Sequence, residues 1–331
     1  MSKQMTVAIA GLGSRGRDTY AKAAKIYPDK MKIVAIADID PEKVKLTAEE
    51  YDVPMSHCYE SAEDMLKEEK LADVMIIATQ DRQHVGQAIK ALKKGYHLLL
   101  EKPISPDLGE CRKISEVAKE CKREVVVCHV LRYTPIYQKV KEILDAGTIG
   151  DVISIMAIEN VGWFHQAHSF VRGNWANSDE TSPMILQKCC HDMDILIWLT
   201  GKRARYVSSY GNNYLFRAEK APAGAAQRCM DCAVRAGCPY DAVRYYLESG
   251  RTSVRAGRVH WPINVLDPHP TPENIEQALR TGPYGRCVYH CDNDVVDHQV
   301  VNIELDGGTT INFTMSAFTE RCYRTIKVMG T

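Results

Sequence analysis

Short apolar runs alternate with longer stretches of helical periodicity through the first 128 residues. The runs fall at Thr6–Ala10, Ile33–Ala37, Asp73–Ala78, His97–Leu100 and Val125–Cys128. Between them, apolar residues recur every three or four positions, as in Val85, Ile89 and Leu92, or Ile114, Val117 and Ala118. That spacing lays one stripe of a helix against a core. Pro41 behind Asp40 suits a capped helix start, and Gly95 suits a helix stop. Strands alternating with helices at this interval predict βαβ units, a parallel sheet and a doubly wound α/β fold of the Rossmann kind.

The pattern changes near residues 128–134, which divides the chain into a domain over 1–128 and a second over 129–331. Tyr137–Ala146 reads as a helix stopped by Gly147, and Asp151–Val161 as a long strand. Gln187–Leu199 reads as a helix carrying Met193, Leu196 and Ile197 on one face. Val300–Leu305 and Thr309–Ser316 alternate apolar with polar residues around Asp306-Gly307-Gly308, the pattern of a hairpin. An α+β domain built on a mostly antiparallel open sheet is expected. Within it, about 217–291 is rich in Arg, Gly, Pro and Cys with weak periodicity, an insertion of irregular loops and short helices. Arg324–Met329 reads as a strand with only two residues after it, which suggests a chain cut short.

The composition narrows the function classes. Forty-two basic residues balance forty-two acidic ones among 331. Zero formal charge argues against a generic nucleic-acid or anionic-membrane binder. No run approaches the ~18 apolar residues of a membrane span. Met1-Ser2-Lys3-Gln4-Met5 leads straight into a strand and has no secretory pattern, so a cytoplasmic location is expected. Twelve cysteines in a chain of this length do not read as a disulfide framework.

The first strand is followed by Gly11-Leu12-Gly13-Ser14-Arg15-Gly16. The first glycine permits a tight turn, the second lets backbone approach a pyrophosphate, and the third allows close helix–strand packing. Asp38 ends the second strand, where a carboxylate accepts hydrogen bonds from ribose hydroxyls. Strand, glycines, helix, second strand and acid occur in the order that binds a dinucleotide. Asp38 favours NAD, because a 2′-phosphate would meet like charge there. Arg15 offsets that repulsion or contacts the pyrophosphate, and NADP stays open.

Glu101-Lys102-Pro103 follows the fourth predicted strand, Thr79-Gln80-Asp81-Arg82-Gln83-His84 follows the third, and His191-Asp192-Met193-Asp194 lies in a later helix. With the glycine fingerprint, these motifs resemble the glucose–fructose oxidoreductase, inositol dehydrogenase and MocA family (Gfo/Idh/MocA). The likeness extends to Leu131-Arg132-Tyr133 and Gly147–Asp151. The resemblance implies a Rossmann domain, a C-terminal sheet that often mediates homo-oligomers, and hydride transfer between a nicotinamide and a carbinol of a sugar, sugar acid or cyclitol. It places Thr79, His84, Glu101, Lys102 and Arg132 near the cofactor, and Lys102 and His191 in the proton chemistry. Many members carry an aspartate one turn before the histidine, where this chain has Gln187, beside Lys188. Glutamine holds no proton, so a redox-neutral NAD-dependent glycoside cleavage and a non-catalytic dinucleotide sensor stay open beside the dehydrogenase.

A second cluster suits a carbohydrate. Gly162–His168 and Phe170–Trp175 gather His165, His168, Arg172 and Trp175, with aromatic faces for sugar C–H groups and Arg172 for a carboxylate. Tyr133, Lys188 and Asp194 complete the substrate-side candidates. A polar loop with structural tryptophans is the alternative. Finally, Cys229, Cys232 and Cys238 with Cys291 supply four thiolates suited to structural zinc, with Cys287 as the other choice of fourth ligand and free cysteines as the alternative.

Overall fold

Six parallel strands build the N-terminal half: β1 (Met5–Ala10), β2 (Met31–Ala37), β3 (Cys58–Tyr59), β4 (Val74–Ile77), β5 (His97–Leu100) and β6 (Val125–Val127). Their spatial order is β3-β2-β1-β4-β5-β6. The winding therefore reverses between β1 and β4, where open α/β sheets hold their ligands. The computed structural model describes residues 4–331 and forms two units, Met1–Cys128 and His129–Thr331. The leader reading at Met1-Ser2-Lys3 lies outside the described residues.

The inner strands of the sheet are covered on both faces, which is why they read as continuous apolar runs. In β1, Val7 and Ile9 pack with Ile33, Ile36, Val44 and Ala48, while Ala8 and Ala10 face Met75, Ile77, Leu98 and Leu100. A π-helical turn, Gly16–Ala21, leads into α1 (Lys22–Ile26). Next come α2 (Pro41–Tyr51), α3 (Ala62–Met65), α4 (His84–Lys93) and α5 (Leu108–Cys121). Asp40 caps α2 as its sequence suggests, accepting the Glu42 and Lys43 N–H groups ahead of Pro41.

The second unit opens with α6 (Pro135–Asp145), β7 (Val152–Asn160), α7 (Trp163–His165), α8 (Met184–Gln187), α9 (Cys190–Thr200) and β8 (Ala204–Asn212). After α10 (Ile263–Leu266) and α11 (Pro272–Thr281) come β9 (His298–Leu305), β10 (Thr310–Ser316) and β11 (Tyr323–Gly330). The strand order is β11-β7-β10-β9-β8. Only β7 and β10 pair in parallel; the remaining pairs are antiparallel. One face buries Ile155, Val301, Ile303, Phe313 and Met315 against Phe170, Cys189 and Leu196. Met156, Ile158, Val300 and Tyr323 stand exposed.

Two elements differ from expectation. The helix expected over Gln187–Leu199 is two helices, with Lys188 and Cys189 in a turn between α8 and α9. Strand β8 escaped notice because all nine residues are exposed, so no face imposes an alternation. The insertion is irregular but has its own cores, one around Tyr246, Ile275 and Leu279 and another around Phe216, Tyr240 and Val288. No helix among the described residues is long and apolar enough to cross a membrane.

Candidate active site

The glycine loop is built by exclusion. Gly11 sits at φ +88°, and a Cβ there would fall 2.4 Å from the Ala78 carbonyl oxygen, so only glycine makes this turn. A Cβ on Gly16 would lie 1.8 Å from the Gly11 oxygen, which sets how closely the helix returns to the loop. Gly13 faces open space, with nothing within 4 Å of its missing Cβ. Ser14 accepts a hydrogen bond from the Thr19 hydroxyl at its carbonyl oxygen, 2.9 Å. Asp38, one residue beyond β2, accepts the Leu12 N–H on one oxygen and the Asp40 N–H, at 2.9 Å, on the other. Its carboxylate thus braces the loop against the start of α2.

Glu101, directly after β5, ties the loop to the lysine. It is buried and accepts Arg15 Nε at 2.8 Å, the Tyr20 hydroxyl, and the Lys102 N–H at 2.9 Å. Burial alone would raise its carboxyl; Arg15, Lys102 and the Tyr20 hydroxyl outweigh that and hold it below the usual range. The same burial, aided by Glu101, pushes the Cys128 thiol up to about 12. Thr79 donates to Gln87 at 2.7 Å. His84, expected near the cofactor, is a buried brace whose ring nitrogens face Pro103 O at 2.8 Å and Thr79 O at 3.1 Å. Tyr20 was not anticipated; its place five residues after Arg15 gives no signal until Glu101 folds over it.

In the second unit, Arg132 grips Asp194 with two nitrogens, Nε at 2.7 Å. Asp194 is therefore held by a cation rather than standing open beside a substrate. His129 Nε2 lies 4.0 Å from the same carboxylate, and its ring meets that of His191 edge-on at 6.1 Å. Gln187 is buried and donates to Thr181, so it does not replace the absent aspartate. Lys188 pairs with Glu159 at 3.3 Å. Arg324 completes the group, with Nε 2.8 Å from both Glu159 and Asp192. Burial raises the Glu159 carboxyl despite these cations. A glutamate inside the apolar run of β7 was the available signal for a buried partner, but Arg324 is too far along the chain to be named from it.

The carbohydrate cluster separates on folding. Tyr133 is exposed, and His165 is half-buried with its ring 5.1 Å from Trp261. Trp175 packs with Phe170. His168 and Arg172 are only 2% and 3% exposed and cannot touch a sugar as expected. His168 bonds Tyr246 at 2.8 Å and stacks on Tyr284; Arg172 donates to Arg286 O and Tyr240 O, both at 2.7 Å. Burial, with Arg172 nearby, holds His168 down to about 3. The unfolded chain takes a proton near 6.5, so stability is full above that value and is lost as pH falls toward 3. By about pH 5 this residue alone should cost roughly 2 kcal/mol. Tryptophan-monitored unfolding should show a flatter acid limb in His168→Phe; an unchanged limb would remove His168 as the cause.

The expected zinc set needs correction too. Cys229, Cys232 and Cys238 line one small cavity with Cys287, whereas Cys291 is not in it and donates to the Cys287 carbonyl at 3.2 Å. Among the described residues, no three His, Cys, Asp or Glu side chains are gathered tightly enough, as they stand, to hold a metal.

Residues 5–129 match the oxidoreductase family with an NAD-binding Rossmann fold, GFO/IDH/MocA, and residues 137–228 match the GFO/IDH/MocA C-terminal domain. YteT of Bacillus subtilis (strain 168), named as an oxidoreductase, is 24% identical over 318 residues, 93% of this chain and 71% of that protein. Inositol 2-dehydrogenase of Corynebacterium glutamicum is 25% identical over 204 residues, 61% of this chain and 56% of that enzyme. This chain thus spans little more than half of some curated relatives. Scyllo-inositol dehydrogenase from Lactobacillus casei, with bound NAD(H) and scyllo-inositol, superposes with a TM-score of 0.68 at 19% identity over 99% of this chain and 74% of that one. The WlbA dehydrogenase in complex with NADH and UDP-GlcNAcA, from Chromobacterium violaceum, gives 0.66 at 17% over 100% and 73%. The two domain matches, on a fold whose glycine loop, Asp38 and Glu101-Lys102 stand as described, make this chain a member of the GFO/IDH/MocA oxidoreductase family.

Proposed function

We propose that the chain is an NAD-dependent dehydrogenase that moves a hydride between the cofactor and a carbinol carbon of a polyol, cyclitol or sugar. The observation that carries this reading is the open backbone at Gly13, framed by Gly11 and Gly16 and braced by Asp38. A pyrophosphate fits where a side chain would otherwise stand, against loop N–H groups at the start of a helix. NAD, when bound, supplies the hydride acceptor. Asp38 accepts the ribose hydroxyls; the Lys102 side chain, as the amine, takes the substrate's hydroxyl proton, and the ammonium so formed stabilises the alkoxide as the hydride leaves. His191 orients the hydroxyl or carries the proton onward, since Gln187 is committed to Thr181. Tyr133, His165, Trp175 and Lys188 remain the substrate-side residues. The inositol and nucleotide-sugar dehydrogenases among the relatives support the polyol and sugar class. The exposed apolar side chains of the second sheet support a homo-oligomer assembled on it.

Incubating the protein with NAD or NADP and a panel of polyols, cyclitols and glycosides tests the reading. NADH should accumulate with a polyol or sugar. Release of aglycone with no net NADH would replace the proposal with redox-neutral cleavage, and NAD binding without any turnover would leave a sensor. Asp38→Ala should weaken NAD about tenfold, because it removes both the ribose acceptor and the Leu12 brace. Calorimetric titration measures this, and an unchanged NAD affinity would take Asp38 out of the cofactor site.

A further inference from the structure

We propose that Cys229, Cys232, Cys238 and Cys287 form a tetrathiolate zinc site, completed when four side chains that already line one cavity rotate inward. The placement is the first argument. Cys229 and Cys232 bracket a single tight turn, closed by the Cys232 N–H on the Cys229 carbonyl, and Cys238 follows a second turn closed on Arg235 O at 3.0 Å. Cys287 comes from a loop about fifty residues further on. It is brought there by the lone bridge Arg228↔Arg286 and by its own N–H on Gln227 O at 2.9 Å. Two irregular loops, distant along the chain, thus bring two cysteines that bracket a turn, a third after the next turn and a fourth from the later loop to one cavity. The four cysteines line one cavity but do not form a metal-holding group as they stand, so closing the site requires their side chains to turn inward.

Charge is the second argument, and it is independent of the first. Arg172 is buried with its terminal nitrogen 3.6 Å from Cys229 Sγ. Its other acceptors are neutral carbonyls, and no carboxylate of the described residues lies within ion-pair distance of it. Asp241, the carboxylate lining the same cavity, is matched by Arg235 at 3.4 Å. A buried guanidinium with no anion is costly. Four thiolates on a divalent cation form a doubly negative centre, the counter-charge Arg172 lacks. Soft sulfur ligands in a closed tetrahedron select zinc among common divalent ions, and a closed set leaves a structural role. Arg172 ends the helical segment Gln166–Arg172 that carries His168, so the ion would fasten the insertion to the segment following β7.

The test uses the whole chain, expressed with zinc and freed of loosely bound metal. Elemental analysis should find about one zinc per chain. Cobalt in its place should give the strong visible bands of a tetrahedral thiolate site. Cys287→Ser should lower metal content to less than about a tenth, while Cys291→Ser keeps it. Absence of stoichiometric metal, iron with sulfide in place of zinc, or loss in Cys291→Ser with retention in Cys287→Ser would each overturn the proposal. Should Cys287→Ser fail to fold, the cobalt spectrum of the unaltered chain decides, and weak octahedral bands would overturn it. None of these readouts depends on dehydrogenase activity.

Discussion

Lys102→Ala should lower kcat about a thousandfold and leave NAD affinity within about threefold of the parent. The two readouts separate because residue 102 plays two parts. Its backbone N–H donates to Glu101 at 2.9 Å, and alanine keeps that bond. The Arg15–Glu101–Tyr20 arrangement and the glycine loop should therefore persist, and with them the cofactor cradle. What alanine removes is the side-chain amine that the proposed function puts against the developing alkoxide. Lys102→Arg sharpens the point: arginine restores positive charge but does not release a proton near neutral pH. If Lys102 exchanges the proton, the arginine variant stays slow; if it supplies charge alone, the arginine variant recovers. A kcat for Lys102→Ala within about fivefold of the parent would remove Lys102 from the chemistry.

The parts of this molecule legible from sequence are those in which neighbours along the chain act together. Gly11, Gly13 and Gly16 lie within six residues, and Asp40-Pro41 caps the helix that immediately follows it. The apolar runs mark β1, β2, β4 and β5, where burial on both faces leaves little polar interruption, and also the edge strand β6, although Val126 there is exposed. Strand β3 has two residues and cannot show a period. In the second unit the signal weakens because the decisive contacts are distant. The histidines and arginine of 165–172 share a short segment, and composition alone suggests a common pocket. Folding instead buries His168 among tyrosines from the insertion and aims Arg172 at Cys229. Cys287, and not Cys291, lines the cavity with Cys229, Cys232 and Cys238, beside the bridge at Arg286, which no spacing rule contains. Lys188 is similar: helical periodicity runs through it, but the break between α8 and α9 coincides with its pairing to Glu159 on β7.

Arg324→Met should destabilise the second unit by about 3–5 kcal/mol at neutral pH, the cost of leaving a buried ion cluster one cation short. Glu159 and Asp192 are both buried, and the Arg324 guanidinium is what lies between them. Methionine fills much of the same volume, so the loss reports charge more than packing. Glu159 would keep Lys188, but Asp192 would lose the two-nitrogen grip it now has. The sign of the pH effect follows from the direction of the Glu159 shift. Burial already raises its carboxyl in the folded chain, and removing Arg324 raises it further. A carboxyl raised on folding contributes stability below its unfolded value, and that contribution is lost as pH rises through its folded value. The deficit of Arg324→Met should therefore be largest at neutral pH and shrink in mild acid, as Glu159 takes a proton. The acid cost of His168 is common to both proteins and cancels from the difference. All four tryptophans, at 163, 175, 198 and 261, lie in the second unit, so their fluorescence in urea reports this unit directly. Adding Glu159→Gln to Arg324→Met should return about 1–3 kcal/mol, since the two changes act on one cluster. A deficit equal at neutral and acid pH, or strict additivity in the double variant, would mean that Arg324 holds the sheet by packing alone.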